Sequence, residues 1–206
     1  MSRNTRTTRF VQNTASTAAY QLTAMLMGFV TPRLMMLFYG SQVNGLIVSV
    51  TEFLTYFRLV EAGLASAAVF SLYKPLTQQD DQGVSEIVSA ARQYYNFAGY
   101  IFVGVTIAFS LIYPLFVKLD TMDSLSVSLL IIAMGISGSL EFFTLSRYRV
   151  LLTADQRTYM VSIASMSSLL LSTALIVILS YLRVNIILVR LCASLTIVLR
   201  SVLLSA

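Results

Sequence analysis

Charged residues lie inside segments of this chain that are too apolar to fold in water. The stretch PRLMMLFYGSQVNGLIVSVTEFLTYFRLVEAGL, residues 32–64, holds two arginines and two glutamates: Arg33, Glu52, Arg58 and Glu61. An ionisable side chain at the centre of a membrane helix costs roughly 2.5–3.5 kcal/mol on insertion scales. Each of these residues therefore requires a partner, a wet cavity or a function, and the rest of the chain is expected to shield them from lipid.

The low fraction of charged residues indicates a membrane protein. Of the 206 residues, 57% are hydrophobic and only 11% are charged, and the mean hydropathy is +0.78. Soluble domains average about 25% charged residues, so this chain lacks the polar side chains to cover a globular surface. The sequence predicts an all-α polytopic membrane protein.

Composition also removes several kinds of chemistry. The chain has no histidine and one cysteine, Cys192, which argues against acid/base catalysis by histidine, zinc or haem sites and disulfide frameworks. It has no phosphate-binding glycine-rich loop and no acidic motif in a long aqueous loop. We expect no enzyme activity, no catalytic residues, no metal and no cofactor other than a coupling ion, H⁺ or Na⁺. The basic residues that give the net charge of +5 are scattered between apolar segments, which argues against nucleic-acid binding.

The apolar segments predict six transmembrane helices with both chain ends in the cytoplasm. They cover residues 11–39, 46–72, 94–119, 125–145, 158–181 and 185–206. Near the ends of these helices and in the segments outside them, eight basic residues fall on the cytoplasmic side. Two, Lys118 and Arg183, fall on the other side, in agreement with the positive-inside rule. The eight are Arg3, Arg6, Arg9, Lys74, Arg92, Arg147, Arg149 and Arg157.

The hydrophilic segment 78–92 has one apolar side. Val84, Ile87, Val88 and Ala91 share a helical face, while serines and charged residues take the others. The pattern predicts a separate amphipathic helix that lies on the cytoplasmic membrane surface between the second and third spans.

Small residues line two of the predicted spans. The fourth span contains Gly135 and Gly138, which permit close helix contact. The fifth span has no charge and carries serines at intervals of three and four residues, a stripe that is either a packing surface or the wall of a wet cavity. These serines are Ser162, Ser165, Ser168 and Ser172.

Depth along the helices sorts the intramembrane charges into two tiers. Arg33, Glu52 and Arg190 fall in the outer half of the membrane, and the others in the inner half. The inner set is Arg58, Glu61, Glu141 and Arg200. They are either ion pairs that lock helices together, with arginines near span ends reaching the headgroups, or functional groups.

An arginine fork suits phosphate and carboxylate groups, and a carboxylate in a cavity can carry a proton or a cation. These residue types favour a transporter of an anionic solute, or of a lipid with an anionic head, coupled to a cation. We expect Arg33, Arg58, Glu61 and Arg190 to bind substrate. Glu52 and Glu141 are expected to serve coupling or helix pairing.

The segment from Pro32 to Leu76 resembles the N-terminal part of bacterial flippases for lipid-linked oligosaccharides, of the multidrug/oligosaccharidyl-lipid/polysaccharide exporter superfamily. The matching elements are Pro32-Arg33, Tyr39-Gly40-Ser41, Val43-Asn44-Gly45, Glu61-Ala62-Gly63 and Tyr73-Lys74-Pro75. The resemblance is most specific over residues 9–120. It implies two pseudo-symmetric lobes of twelve to fourteen helices in all around a cationic cavity.

The resemblance also implies an activity. Such proteins pass an undecaprenyl-pyrophosphate-linked sugar repeat unit, of O-antigen or capsule type, across the bacterial inner membrane by alternating access. Arg33, Arg58 and Glu61 match the family's motifs. The expected partners are the lipid-linked oligosaccharide, membrane lipids, and polysaccharide polymerase and assembly proteins. Family members are roughly twice as long, so the chain is interpreted as a truncated N-terminal lobe, residues 1–206, whose second lobe is missing.

Two other functions remain open at this point. One is a lobe of a multidrug-type antiporter for organic cations. The spans carry four arginines and three glutamates, which would make a poor cavity for cations. The other is a non-transporting scaffold or inactive fragment that binds assembly partners through residues 77–92.

Overall fold

The structure, a computed structural model, describes residues 3–117, 119–145, 151–155 and 157–205, without the side chains of 3–6, 57–65, 144–145, 199 and 201–205. Helices account for almost all of this part of the chain, and it contains no strand. The all-α prediction is therefore confirmed.

Five long helices follow one another along the chain. They are α1 (Arg3–Gln78), α2 (Asp81–Phe116), α3 (Ser124–Leu140), α4 (Thr158–Tyr181) and α5 (Ile186–Ser205). A π-helical turn, Glu141–Leu145, extends α3. Pro32, Pro75 and Pro114 lie inside helices rather than ending them.

Gly40 divides α1 into two arms, the N-terminal arm (residues 3–39) and the C-terminal arm (residues 41–78). Its backbone angles, φ 84° and ψ 167°, belong to a region that is accessible almost only to glycine. Ala24 and Glu52 line one cavity of about 320 Å³, although a straight helix would separate them by about 42 Å. The chain therefore folds back at Gly40.

Hydrogen bonds show that the N-terminal arm and α4 run in the same direction. The Tyr159 amide donates to Asn13 Oδ1 (2.8 Å), and the Thr17 and Ser162 hydroxyls lie 3.1 Å apart. Further along both helices, the Tyr39 hydroxyl donates to the Val184 carbonyl (2.8 Å).

The helices α2 and α3 are antiparallel. The Ser128 hydroxyl donates to the Ser110 carbonyl (2.7 Å) near one end of the pair. Near the other end, the rings of Phe102 and Phe142 lie 5.2 Å apart. The helices α4 and α5 are also antiparallel and are joined by Ser168, whose hydroxyl donates to the Thr196 carbonyl (3.1 Å).

Three chain reversals meet at one end of the bundle, which we call the turn end: Gly40, residues 119–123 and residues 182–185. The Gln42 amide donates to Asp120 (3.1 Å), the Thr121 hydroxyl donates to Gln42 (3.3 Å), and Tyr39 joins Val184. At the opposite end, Arg9 donates to the Asp155 carbonyl (2.9 Å).

Four helices in the described part of the chain are long and apolar enough to cross a membrane. They are Thr7–Tyr56, Asp81–Phe116, Ser124–Phe143 and Thr158–Tyr181, with Ile186–Val198 as a shorter apolar helix. These helices fit a membrane protein. The first of them includes the break at Gly40, so the count of six spans stays a prediction.

The prediction of a separate surface helix at residues 78–92 is wrong. This segment is the first part of α2, because no glycine or proline interrupts residues 84–98. Asp80 starts the helix by accepting a hydrogen bond from the Gly83 amide (3.0 Å). The apolar side chains of Val84, Ile87, Val88 and Ala91 are partly buried and pack against the core of the protein.

Small residues bring the helices together, as predicted. A Cβ atom at Gly135 would overlap the methyl group of Thr106, and one at Gly138 would overlap the ring of Phe102. In the serine stripe of α4, Ser162, Ser165 and Ser168 are buried. Since Ser162 contacts the N-terminal arm and Ser168 contacts α5, the stripe is a packing surface.

The substitution Gly138→Ala should destabilise the protein by about 1–3 kcal/mol, because the buried Phe102 ring would have to move. Gly104→Ala is the matched control: Gly104 lies in α2 with nothing near its missing Cβ, so alanine should be neutral or stabilising by about 0.5–1 kcal/mol. Unfolding in detergent, followed by circular dichroism, measures both variants. Equal stability of the two would contradict the close packing of α2 and α3.

Candidate functional site

A cavity lies between the two arms of α1 and is completed by α4 and α5. It has a volume of about 320 Å³ and contains two ionisable side chains, Arg190 and Glu52. The N-terminal arm contributes Ala24, Met27, Gly28, Thr31, Pro32 and Met35; the C-terminal arm contributes Asn44, Ile47, Val48, Thr51 and Glu52; Leu169 and Arg190 come from α4 and α5. We call this the arm cavity.

Arg190 places a permanent positive charge on the wall of the arm cavity. It lies in the first turns of α5, and its Nε atom is buried without a hydrogen-bond acceptor among the residues that the structure describes. Its guanidinium makes no ion pair with any carboxylate that the structure describes. A buried donor without an acceptor costs free energy, so this side chain is suited to receive an anionic group from outside the protein.

Glu52 is the carboxylate of the arm cavity. It lies on the C-terminal arm, twelve residues after Gly40, and its side chain is exposed. It forms no ion pair with Arg190 in the described structure, although both residues line the same space. The cavity can therefore present a positive and a negative group separately, one for an anion and one for a proton or cation.

Arg33 lies on a different face of the N-terminal arm. It is exposed and does not line the arm cavity, whereas its neighbour Pro32 does. Phe29 and Met36, four residues before it and three after it, are also exposed, at 69% and 49%. Arg33 thus sits in an exposed apolar stripe, and the structure does not bring it together with Arg190.

Arg58 and Glu61 belong to the helical C-terminal arm, but their side chains lie outside the described residues. Their spacing of three residues places them on neighbouring positions of one helix face. Their predicted role in substrate binding stays a prediction.

Glu141 forms an ion pair with Arg200, with a distance of 3.5 Å between Oε1 and Nη1. Both side chains are mostly buried, with 23% and 16% of their surface exposed. Glu141 is the first residue of the π-helical turn, so the pair connects the end of α3 to α5. This contact supports helix pairing as the role of Glu141.

Three uncharged polar residues, none of them predicted as a site residue, also line the arm cavity: Thr31, Asn44 and Thr51. Residues at nearly equal distances along the chain from Gly40 line the same cavity, such as Met35 and Asn44. A chain reversal at Gly40 would have been enough to predict that residues of the two arms come together.

No protein-family model, curated protein or solved structure matches this chain.

The two partly buried arginines of α5 should respond oppositely to replacement by methionine. Arg190→Met removes an unpaired charge and should stabilise the protein by about 1–2 kcal/mol. Arg200→Met leaves Glu141 without this partner and should destabilise it by about 1–3 kcal/mol. The free energies of unfolding in one detergent measure both. A loss of stability in Arg190→Met would mean that Arg190 has a structural partner.

Proposed function

We propose that this chain is one helical lobe of a membrane exporter that moves an undecaprenyl-pyrophosphate-linked oligosaccharide from the cytoplasmic to the outer leaflet of the bacterial inner membrane. The observation that carries the proposal is Arg190, which lines the arm cavity and forms no ion pair with a carboxylate among the described residues. Together with this observation, the resemblance of residues 32–76 to oligosaccharide flippases supports the substrate class.

Arg190 would bind the pyrophosphate. A guanidinium offers donors in a planar fork that matches phosphate oxygens, and the apolar walls of the cavity strengthen such a contact. Glu52 would take up the coupling proton or cation in the same cavity. Uptake of a cation at Glu52 and release of the anion from Arg190 would then be linked by their opposite charges.

The proposal includes six spans with a cytoplasmic N-terminus. The break at Gly40 supports division of α1 into two spans, since each arm is longer than the roughly 20 residues that cross a bilayer. Three chain reversals meet at the turn end, which supports spans that alternate in direction across the membrane. The excess of basic residues at the other end supports a cytoplasmic location for that end.

The alternatives are less consistent with the described side chains. A cavity for organic cations would not be expected to present an unpaired guanidinium. A scaffold that binds partners through residues 77–92 would need the apolar face of this segment, but that face packs against the protein core.

The proposed function predicts a loss of transport in Arg190→Gln. A strain that lacks its oligosaccharide flippase is supplied with the full chain, and its surface polysaccharide is measured. The wild-type chain should restore the polysaccharide, and Arg190→Gln should reduce it at least tenfold because the pyrophosphate loses a charge-assisted contact worth about 1.5–3 kcal/mol. Arg92→Gln, which changes an exposed arginine of α2, is the matched control.

Two further variants in the same assay test the residues carried over from the family, Arg33→Ala and Glu61→Gln. Each should reduce the polysaccharide. If the wild-type chain inserts stably but restores nothing, the transport proposal fails for this chain and the scaffold alternative is favoured.

The proposed topology can be tested with single cysteines. In a Cys192→Ala background, Ser124→Cys marks the turn end and Ser85→Cys marks the opposite end; both positions are exposed. A membrane-impermeant maleimide should label position 124 in intact spheroplasts and position 85 only after permeabilisation. The reverse pattern would contradict a cytoplasmic N-terminus.

A further inference from the structure

A second cavity of about 590 Å³ lies at the turn end, and we call it the turn-end cavity. All three chain reversals contribute to it. Its polar lining consists of Thr121, Asp123, Ser126, Ser180, Arg183 and Asn185. None of these residues belongs to the arm cavity, so this is a separate site.

Two opposite charges line the turn-end cavity without forming an ion pair in the described structure. Asp123 precedes α3, and Arg183 follows α4; both are exposed. The nearby Ser126 hydroxyl holds the pKa of Asp123 below its ordinary value, so this carboxylate is ionised at neutral pH. The cavity therefore offers one anionic and one cationic contact to the same ligand.

Arg183 occupies a position where glycine is the unstrained residue. Its φ of 53° is left-handed. The amides of Arg183 and Val184 donate to the carbonyls of Ser180 (3.0 Å) and Leu179 (3.1 Å), which is the hydrogen-bond pattern of a Schellman motif. A non-glycine residue costs roughly 1 kcal/mol in this conformation. The chain thus carries a cationic side chain at a strained position, and such positions cluster at functional sites.

Ser180 provides an independent observation. It is fully buried, and its hydroxyl has no hydrogen-bond partner in the part of the chain that the structure describes. It lines the turn-end cavity. A buried hydroxyl without a hydrogen-bond partner is rare in native proteins and calls for an explanation.

Exposed apolar side chains flank the same cavity. Leu37, Tyr181 and Leu182 are 73%, 71% and 69% exposed. Tyrosine next to leucine at the end of a span is typical of the depth at which lipid headgroups meet acyl chains. A ligand in this cavity can therefore have a polar head between Asp123 and Arg183 and a hydrocarbon part along these residues.

From these contacts we propose that the turn-end cavity binds a zwitterionic phospholipid, with its phosphate on Arg183 and its ammonium group on Asp123. The phosphate oxygens match the guanidinium fork, and the ammonium protons match the carboxylate. A purely anionic headgroup would meet repulsion from Asp123. This site does not depend on the proposed transport function, because it shares no residue with the arm cavity.

Native mass spectrometry of the full chain in detergent tests the proposal. The purified protein is titrated with phosphatidylethanolamine and phosphatidylglycerol that carry the same acyl chains. The wild type should bind phosphatidylethanolamine about five- to tenfold more tightly. Equal affinities for the two lipids would overturn the proposal.

Two variants separate the two contacts. Arg183→Gly removes the guanidinium and relieves the left-handed backbone, so it should fold at least as well as the wild type while binding both lipids about tenfold more weakly. Asp123→Asn keeps a favoured residue type at the N-cap position of α3 and should abolish the preference for phosphatidylethanolamine. Arg92→Gln and Asp81→Asn, at exposed positions near the other end of the bundle, are the matched controls. Unchanged affinities in Arg183→Gly would overturn the proposal.

A competition arm distinguishes an intact lipid from a free headgroup. Soluble glycerophosphoethanolamine has the same charges but no acyl chains, so it should displace the lipid only at much higher concentration. If it binds as tightly as phosphatidylethanolamine, the cavity takes a soluble solute, and the lipid assignment is wrong.

Discussion

No water reaches the hydrocarbon core of a membrane, so backbone amides and carbonyls there must find their partners within the protein. Helices satisfy this requirement locally, and they make up nearly all of the described chain, as fits a membrane protein. The same requirement confines non-helical backbone to the ends of the bundle. At the turn end, the Tyr39 hydroxyl serves the Val184 carbonyl, and the Schellman hydrogen bonds serve the last carbonyls of α4. Both cavities depend on these reversals, because they bring separate helices side by side.

In a membrane the helices would also have to associate without the hydrophobic effect, since lipid tails are as apolar as leucine. Close packing and hydrogen bonds take its place. Gly135 and Gly138 let α3 approach the side chains of α2, and the serines of α4 bond to neighbours on both sides. Small residues therefore set the positions of α4 and α5 against the arms of α1. That packing in turn places Arg190 on the wall of the arm cavity.

The two arginines of α5 have different surroundings. In α5, Arg200 is paired with Glu141, while Arg190, ten residues earlier, faces a cavity without an ion-pair partner among the described residues. The first arrangement stabilises the bundle, and the second leaves a favourable contact for a ligand. At one end of the bundle Asp155 pairs with Arg9 and Arg157, whereas Asp123 and Arg183 at the other end form no ion pair among the described residues.

The sequence by itself determined the fold class, the helical segments and the small-residue packing surfaces, because hydropathy and residue size act locally along each helix. It predicted α4 with the bounds Thr158–Tyr181 that the structure has. It predicted a separate helix at 78–92 wrongly, since an amphipathic pattern does not reveal whether protein or lipid covers its apolar face. Only the tertiary structure decided which charges share a cavity: Glu52 and Arg190 line one, Asp123 and Arg183 line another although they are sixty positions apart, and Arg33 lines neither. This grouping of charged residues depends on how the arms fold back at Gly40 and on how the helices pack, which no local sequence pattern specifies.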